Sequence, residues 1–360
     1  MAHPPATHHS LAFYQALPKV ELHRHLEGSL RLATLTEIAR DLGMDLAQPG
    51  RLAPLVQVAG DEPYTSQSFL SKFETLRLFY RTPEIIARMA REAVEDARAD
   101  NVCYLELRFT PAALSRAQGF PLGEVMDWVI AGVQQAGEGI MTRLIVSVNR
   151  HEPPQLAEQA IRLAVEHMRQ GIVGIDVAGN ESAHPQLDAF AGMLREARQA
   201  GLGLTIHAGE WGGAENVAAA IERYQADRIG HGVRVMEDPS AVDIAHETGV
   251  PFEVCLTSNI QSGVVTGLDQ HPLEHMLKAG LNLTLNTDDP SISQITLSRE
   301  HYLACEMLGI PLLAYRRCML RGAGAAFLPA LERAALVQQL VDEFDQLTAT
   351  TRLPRAALDS

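Results

Sequence analysis

Eight short segments rich in apolar and β-branched residues recur along the chain, and longer stretches with helical periodicity separate them. Most of these segments are continuous apolar runs, which is typical of strands buried on both faces of a parallel sheet. They are VELHRH (20–25), VCYLELRF (102–109), RLIVSVN (143–149), IVGIDVA (172–178), LGLTIH (202–207), RIGH (228–231), PFEVCL (251–256) and LNLTLNT (281–287). Helical spacing marks 82–100, 124–139, 154–171, 187–201, 214–226 and 240–249. The alternation predicts an α/β fold, a closed (β/α)₈ TIM barrel, with a doubly wound open sheet as the structural alternative.

Two regions extend the minimal barrel. Residues 30–100 form a long, largely helical insertion after the first strand, and residues 290–350 form extra C-terminal helices. Neither region is bounded by a Pro-, Gly- and Ser-rich linker of the kind that separates domains. We therefore expect one domain over residues 1–360.

Charge and composition argue against several classes of protein. The formal net charge is -14 and the basic residues are scattered, so a nucleic-acid partner is not expected. No apolar run approaches the roughly 18–20 residues that a membrane span needs, and the N-terminal segment does not resemble an export signal. Four widely spaced cysteines without a CxxC pair fit reduced thiols, so we expect a cytoplasmic protein. The sequence leaves the oligomeric state open.

Polar residues gather where the predicted strands end. His23 and His25 close the first strand, His207 the fifth and His231 the sixth, while Asp288 and Asp289 follow the eighth. In a barrel, the C-terminal ends of the strands form the face that carries active sites. We expect these side chains to meet there.

A metal ion explains the cluster best. A single strand histidine is more often a hydrogen-bonded core residue, but several ionisable groups buried together need a shared partner. His23, His25, His207 and Asp288 offer three imidazoles and one carboxylate, which suit Zn²⁺ first and Fe²⁺, Mn²⁺ or Co²⁺ less well. No lysine stands at the end of a middle strand to bridge two ions, so the sequence predicts one zinc per chain.

Three further residues are candidates for the chemistry. Glu210 follows His207 by three positions and could give a proton to a heteroaromatic ring nitrogen when water adds to the neighbouring carbon. His231 and Asp289 could orient that water. The alternative for Glu210 is an ordinary acidic residue at a helix N-terminus. We expect Glu210 to be protonated chiefly in the substrate complex, where a closed lid excludes water.

The ordered motifs HxHLEG, GIDVAGNE, HAGE, RIGHG, CLTSN and NTDDP resemble the adenosine deaminase family over nearly the whole chain. The resemblance implies zinc ligands at His23, His25, His207 and Asp288, with catalytic roles for Glu210, His231 and Asp289. It also implies that Gly179 offers its main-chain N–H to a purine ring nitrogen, where a residue without Cβ allows close approach. An ordinary turn at Gly179 is compatible with that role.

The resemblance extends to substrate contacts. Glu27 stands where animal-type members carry an aspartate near the sugar hydroxyl, so sugar selectivity is open. In SFLSKF (68–73), Phe69, Leu70 and Phe73 match a helical lid over the nucleoside, although their spacing also suits an ordinary amphipathic helix. His25 and Asp289 would also face the substrate.

The expected activity is hydrolytic deamination of adenosine, and of deoxyadenosine, to the inosine product and ammonia. The alternative is the same reaction on another 6-aminopurine, either adenine or a 5′-modified nucleoside such as aminodeoxyfutalosine. Two more distant alternatives are a non-catalytic, growth-factor-like member and a mononuclear hydrolase of esters or amides. The Cys-ligated cytidine and tRNA deaminases are excluded, because no PCxxC motif occurs.

Overall fold

The eight predicted strands form one parallel sheet in sequence order, from β1 to β8. The computed structural model describes residues 8–48 and 50–350. The strands are β1 Lys19–His25, β2 Val102–Phe109, β3 Met141–Asn149, β4 Ile172–Ala178, β5 Gly203–Ala208, β6 Arg228–His231, β7 Pro251–Val254 and β8 Asn282–Leu285. The barrel prediction is confirmed, and the open doubly wound sheet, which would change its strand order, is excluded.

The barrel closes just beyond the last strand. The eighth segment was predicted to run to residue 287, but β8 ends at Leu285, and the chain then crosses toward β1. There the His25 N–H donates to the Asp288 carbonyl at 2.8 Å, and the Asp288 N–H donates to the His23 carbonyl at 2.9 Å. Asp288 therefore forms a parallel bridge with Arg24. This closure places an aspartate directly between two histidines of β1.

Helices surround the sheet. Those up to β3 are α1 Leu11–Ala16, α2 Leu32–Asp41, α3 Ala53–Val56, α4 Ser66–Leu76, α5 Pro83–Ala99, α6 Pro111–Ser115 and α7 Leu122–Gln135. Those up to β8 are α8 Pro154–Glu166, α9 Ala191–Gln199, α10 Ala214–Glu222, α11 Pro239–Thr248, α12 Leu256–Gln261 and α13 Leu273–Lys278. The remaining helices are α14 Pro290–Ser293, α15 Leu297–Tyr302, α16 Leu312–Ala325 and α17 Ala330–Thr350. The predicted helical insertion and C-terminal helices are both present.

Local sequence explains where the helices of the insertion begin. The Thr82 side chain accepts a hydrogen bond from the Ile85 N–H, and Pro83 occupies the first position of α5, where its missing N–H costs nothing. Thr65 caps α4 in the same way through the Ser68 N–H. The Thr65 cap therefore determines where α4, the helix predicted as a lid, begins.

The interior of the barrel is ionic, and not a simple apolar core. Arg108, Arg228, Glu106 and Glu253 are fully buried inside it. Arg228 pairs with both carboxylates, and the Arg108 Nη2 lies 2.9 Å from Glu253 Oε2. Such charges are tolerated only in matched pairs, so the network fixes the relative positions of strands β2, β6 and β7.

No helix among residues 8–48 and 50–350 is both long and apolar enough to cross a membrane. The two chain ends, 1–7 and 351–360, lie outside the described residues, as does position 49. One domain over 1–360 stays a prediction, and so does the absence of an export signal.

The first testable consequence concerns Glu300 of α15. This buried carboxyl accepts the Thr257 N–H at the start of α12, and burial raises the pKa of Glu300 to about 7. Glu300→Gln keeps a carbonyl acceptor but cannot ionise. Because the folded-state pKa lies above the ordinary 4.5, the stability of the wild type relative to the variant should fall as pH rises from about 4.5 to 7. The expected change is about 3 kcal/mol.

Urea unfolding of both proteins at a series of pH values between 4.5 and 8 measures this difference. The difference should level off only about one pH unit above the pKa of Glu300. A difference that does not depend on pH would contradict the assignment.

Candidate active site

Four predicted ligand side chains converge at the C-terminal mouth of the barrel. His23 Nε2 lies 3.1 Å from Asp288 Oδ1, and His25 Nε2 lies 3.4 Å from the same oxygen. His25 Nε2 is also 3.4 Å from His207 Nε2. Ligands at 2.0–2.1 Å from a tetrahedral ion are about 3.4 Å apart, so the spacing fits a metal site. His23 Nε2 is buried, and its contact with Asp288 does not have the geometry of a hydrogen bond. A buried nitrogen without a hydrogen-bond partner is expected where a metal ion binds.

Carboxylates behind two of the histidines set their orientation. His23 Nδ1 lies 2.8 Å from Glu253 Oε2, and His207 Nδ1 lies 2.9 Å from Asp176 Oδ1. A carboxylate can only accept here, because His207 and Arg108 lower the pKa of Asp176, and Arg108 and Arg228 lower that of Glu253, despite the burial of both acids. Each Nδ1 therefore carries the proton, which leaves the Nε2 lone pair facing the cluster.

Asp288 is aimed by its backbone and by a serine. Its φ of 67° lies in the left-handed region, which is uncommon for residues other than glycine and is concentrated at functional sites. Ser258 Oγ of α12 donates to Asp288 Oδ2 at 2.6 Å. The serine occupies one carboxylate oxygen, and Oδ1 remains for the cluster.

His231 is a fifth candidate beside these four. Ligand atoms of His23, His207, His231 and Asp288 lie within 4.8 Å of one another. His231 Nε2 is nevertheless 4.0 Å from Asp288 Oδ2 and 3.8 Å from Glu210 Oε2, whereas His25 reaches Asp288 at 3.4 Å. The shorter distance favours His25 as the ligand, and His231 lies between the cluster and Glu210.

Two carboxyl groups at the site have raised pKa values. Burial, together with the charges of Asp288 and Glu181, raises the pKa of Glu210 well above its usual range. Burial and the adjacent Asp288 do the same for the pKa of Asp289. The protein buries Glu210 without help from a ligand. The dependence of its proton on bound substrate stays a prediction.

A cavity of about 260 Å³ opens over the cluster. Its size is close to the lower end of the roughly 300–1,000 Å³ typical of small-molecule sites. It is lined by the predicted residues His25, Glu27, Phe69, Leu70, Phe73, Gly179, His207, Glu210, His231, Asp288 and Asp289. Of the predicted site residues, His23 alone does not line it and lies in the barrel interior below. The predicted roles of all these residues stay predictions.

Two positions at the cavity show how tightly the loops pack. A Cβ on Gly28 would lie 1.8 Å from Asp289 Oδ1, so any side chain in the HLEG loop would displace that carboxyl. Gly179 has a φ of 96°, which L side chains rarely adopt. Next to Gly28, Glu27 accepts the Thr110 N–H through Oε1 at 2.9 Å, while Oε2 is buried without a hydrogen-bond partner.

Several residues of the site were not predicted. Asp176, Glu253, Ser258 and Glu181 support the ligands or the Glu210 loop, and Glu181 does so by accepting the Gly209 and Glu210 N–H groups. A usable signal was present for two of them, since Asp176 and Glu253 are charged residues inside apolar strands. Other cavity residues lacked any such signal, among them Arg77, Thr110, Asn149, His151 and Trp211.

A parallel barrel with a buried histidine and aspartate cluster at its C-terminal mouth defines a hydrolase of the amidohydrolase type. Two solved structures of similar proteins support this class. A crystal structure of an amidohydrolase from Burkholderia ambifaria with bound Zn is similar at a TM-score of 0.86 and 28% identity, covering 97% of this chain and 96% of that one. An N6-methyl-AMP deaminase from Arabidopsis thaliana has a TM-score of 0.82 at 28% identity, covering 92% and 98%.

Sequence comparison identifies the family. Residues 18–343 match the model of the adenosine deaminase family. An adenosine deaminase from Klebsiella pneumoniae is 36% identical over 329 residues, which are 90% of this chain and 98% of that protein. The chain belongs to the adenosine deaminase family, and it is a hydrolytic deaminase.

The two adjacent aspartates should have separable roles. We predict that Asp288→Ala loses bound metal and activity together, because Asp288 Oδ1 lies against His23 and His25. Asp289→Asn should keep its metal and lose mainly kcat, roughly 100-fold or more, because Asp289 faces the cavity beside the cluster. Metal analysis and steady-state kinetics on the purified variants measure both effects.

The exposed Asp269→Asn variant is the matched control and should behave as the wild type. Full metal retention in Asp288→Ala would reverse the assignment of the two aspartates.

Proposed function

We propose that the protein catalyses the hydrolytic deamination of adenosine and deoxyadenosine, in which water replaces the 6-amino group and ammonia leaves. The observation that carries this proposal is the buried Glu210, whose pKa is raised by burial, in the same cavity as the candidate ligand cluster. A purine C6 with a ring nitrogen beside it needs both features, a nucleophile at the carbon and a proton at the nitrogen.

One zinc ion per chain would be held by His23, His25 and His207 through Nε2 and by Asp288 through Oδ1. Three neutral imidazoles and one carboxylate are a donor set that suits Zn²⁺. Burial lowers the pKa of His25 to about 3, which keeps that ligand neutral. When bound, zinc lowers the pKa of a water and so supplies a nucleophile at neutral pH.

The chain's own residues would do the rest. Glu210 would donate its proton to the ring nitrogen next to the reacting carbon, and burial would keep that proton available. Asp289 and His231, which both line the cavity, would orient the attacking water. Gly179 would offer its main-chain N–H to another ring nitrogen.

Glu27 favours a nucleoside over a free base. Its Oε2 is buried without a hydrogen-bond partner, so a sugar hydroxyl would supply the missing donor. Phe69, Leu70 and Phe73 of α4 line the cavity and would cover the substrate. The cytoplasmic location stays a prediction.

A second candidate is the same reaction on a 5′-substituted or phosphorylated 6-aminopurine nucleoside. The observation in its favour is Arg77, which lines the cavity beside Glu27 and offers a cation to such a group. Glu74 lines the same cavity and disfavours an anion. The neutral nucleoside is therefore the first choice.

A side-by-side assay of adenosine, deoxyadenosine, adenine, N6-methyl-AMP and a 5′-substituted adenosine tests the proposal. We expect adenosine to have the highest kcat/KM, and adenine to be poorer by roughly 10-fold or more because Glu27 is left without its donor. The change in ultraviolet absorbance from a 6-aminopurine to a 6-oxopurine measures turnover on every substrate, because N6-methyl-AMP would release methylamine where the others release ammonia. A higher kcat/KM for adenine or for a nucleotide would replace the proposed substrate.

Glu210→Gln tests the proton donor. The variant should keep its metal and bind nucleoside, because the amide N–H can still face the ring nitrogen, yet kcat should fall by at least roughly 10²–10⁴ since an amide cannot give up a proton. The exposed Glu215→Gln in the same region is the control. A metal-replete Glu210→Gln enzyme within about tenfold of the wild-type kcat would overturn the assignment.

A further inference from the structure

Three hydrogen bonds connect Nδ1 of His231 to the main-chain N–H of Leu273, the first residue of α13. Asn259 Nδ2 lies 3.1 Å from His231 Nδ1. On its other side, Asn259 Oδ1 lies 3.3 Å from His271 Nε2. The Leu273 N–H then donates to His271 Nδ1 at 3.1 Å. All three side chains are buried.

The direction of this chain follows from its last member. A main-chain N–H can only donate, so His271 Nδ1 must be the acceptor. Burial lowers the pKa of His271 to about 3, so the ring is neutral and carries its proton on Nε2. That proton must meet the oxygen of Asn259, which turns the amide NH₂ toward His231. The amide orientation is thereby fixed by a backbone group.

The orientation of the Asn259 amide determines which nitrogen of His231 carries the proton. Because the Asn259 amide donates to His231 Nδ1, that nitrogen holds a lone pair, and the single proton of the neutral ring sits on Nε2. His231 Nε2 faces Glu210 Oε2 at 3.8 Å and Asp288 Oδ2 at 4.0 Å. A protonated nitrogen cannot bind a metal, but it can donate to a water beside the cluster.

We propose that Asn259 and His271 are positioning residues that lock His231 in the Nε2–H tautomer, which makes it a hydrogen-bond donor to the attacking water and bars it from the metal. This role rests on the proposed function. The tautomer itself does not, because the hydrogen bonds that fix it involve no substrate.

Asn259→Asp is the sharpest test, since it keeps the size and shape of the side chain. A carboxylate can still accept from His271, but it can only accept from His231, so the proton should move to His231 Nδ1. Long-range ¹H–¹⁵N NMR of the ¹⁵N-histidine-labelled holoenzyme reads the tautomer, and comparison with His231→Asn identifies the His231 signals. We expect Nε2–H in the wild type and a protonated Nδ1 in Asn259→Asp.

Kinetics should follow the tautomer. Asn259→Asp should lower kcat about 100-fold or more with KM changed only a few-fold, because the water loses its donor while the substrate contacts remain. His271→Leu frees the Asn259 amide to flip and should give a mixture of tautomers. His271→Gln retains an N–H donor for Asn259 and should restore the wild-type tautomer and most of kcat.

His301→Gln is the matched control for a buried histidine, since His301 contacts Tyr315 and lies outside the cavity. It should leave the His231 tautomer and kcat unchanged. A protonated Nδ1 in the wild type, or an unchanged tautomer in Asn259→Asp, would overturn the inference. If the tautomer shifts as expected but no purine is deaminated by the wild type, the inference stands and the proposed function fails.

Discussion

Two main-chain hydrogen bonds between β1 and Asp288 close the barrel and assemble the site in one step. They join the His25 N–H to the Asp288 carbonyl and the Asp288 N–H to the His23 carbonyl. Because these bonds bring the two ends of the sheet together, strand geometry sets the spacing of three candidate ligands, His23, His25 and Asp288. To make both hydrogen bonds to β1, Asp288 adopts a left-handed φ, which is unfavourable for a residue other than glycine. The same backbone conformation directs its carboxylate toward the histidine cluster.

The ionic interior extends this constraint below the site. Glu253 accepts hydrogen bonds from His23, Arg108 and Thr205, and also pairs with Arg228. A carboxylate satisfied from four strands positions them all at once, since leaving any partner unpaired in a dry interior costs several kcal/mol. The positions of the candidate ligands therefore depend partly on charged side chains that do not line the cavity.

The sequence predicted most of the fold and most of the residues that line the cavity. The features that it did not predict all depend on contacts that form only in the folded chain. Buried parallel strands appear in the sequence as apolar runs, so all eight were found, with errors of at most two residues at their ends. Ligands at strand ends were found because imidazoles and carboxylates stand out there. Asn259 and His271 were not predicted, because their role depends on a contact between residues twelve positions apart that only folding brings together. The end of β8 was misplaced because Asn286 and Thr287 pair with β1 through side chains, a pattern that no strand periodicity encodes.

The histidines of the site illustrate how identical side chains acquire different functions. His23 and His207 each face a carboxylate at Nδ1, and a carboxylate requires a proton there, which leaves Nε2 as a free lone pair. His231 faces an amide NH₂ at the same nitrogen, which requires a lone pair there and moves the proton to Nε2. The partner behind the ring thus decides whether the front of the ring binds a cation or donates a hydrogen bond. Because Asn259 and Ser258 are neighbours on α12, this one helix contacts both Asp288, the candidate ligand, and His231, which the proposed tautomer would keep out of the ligand set.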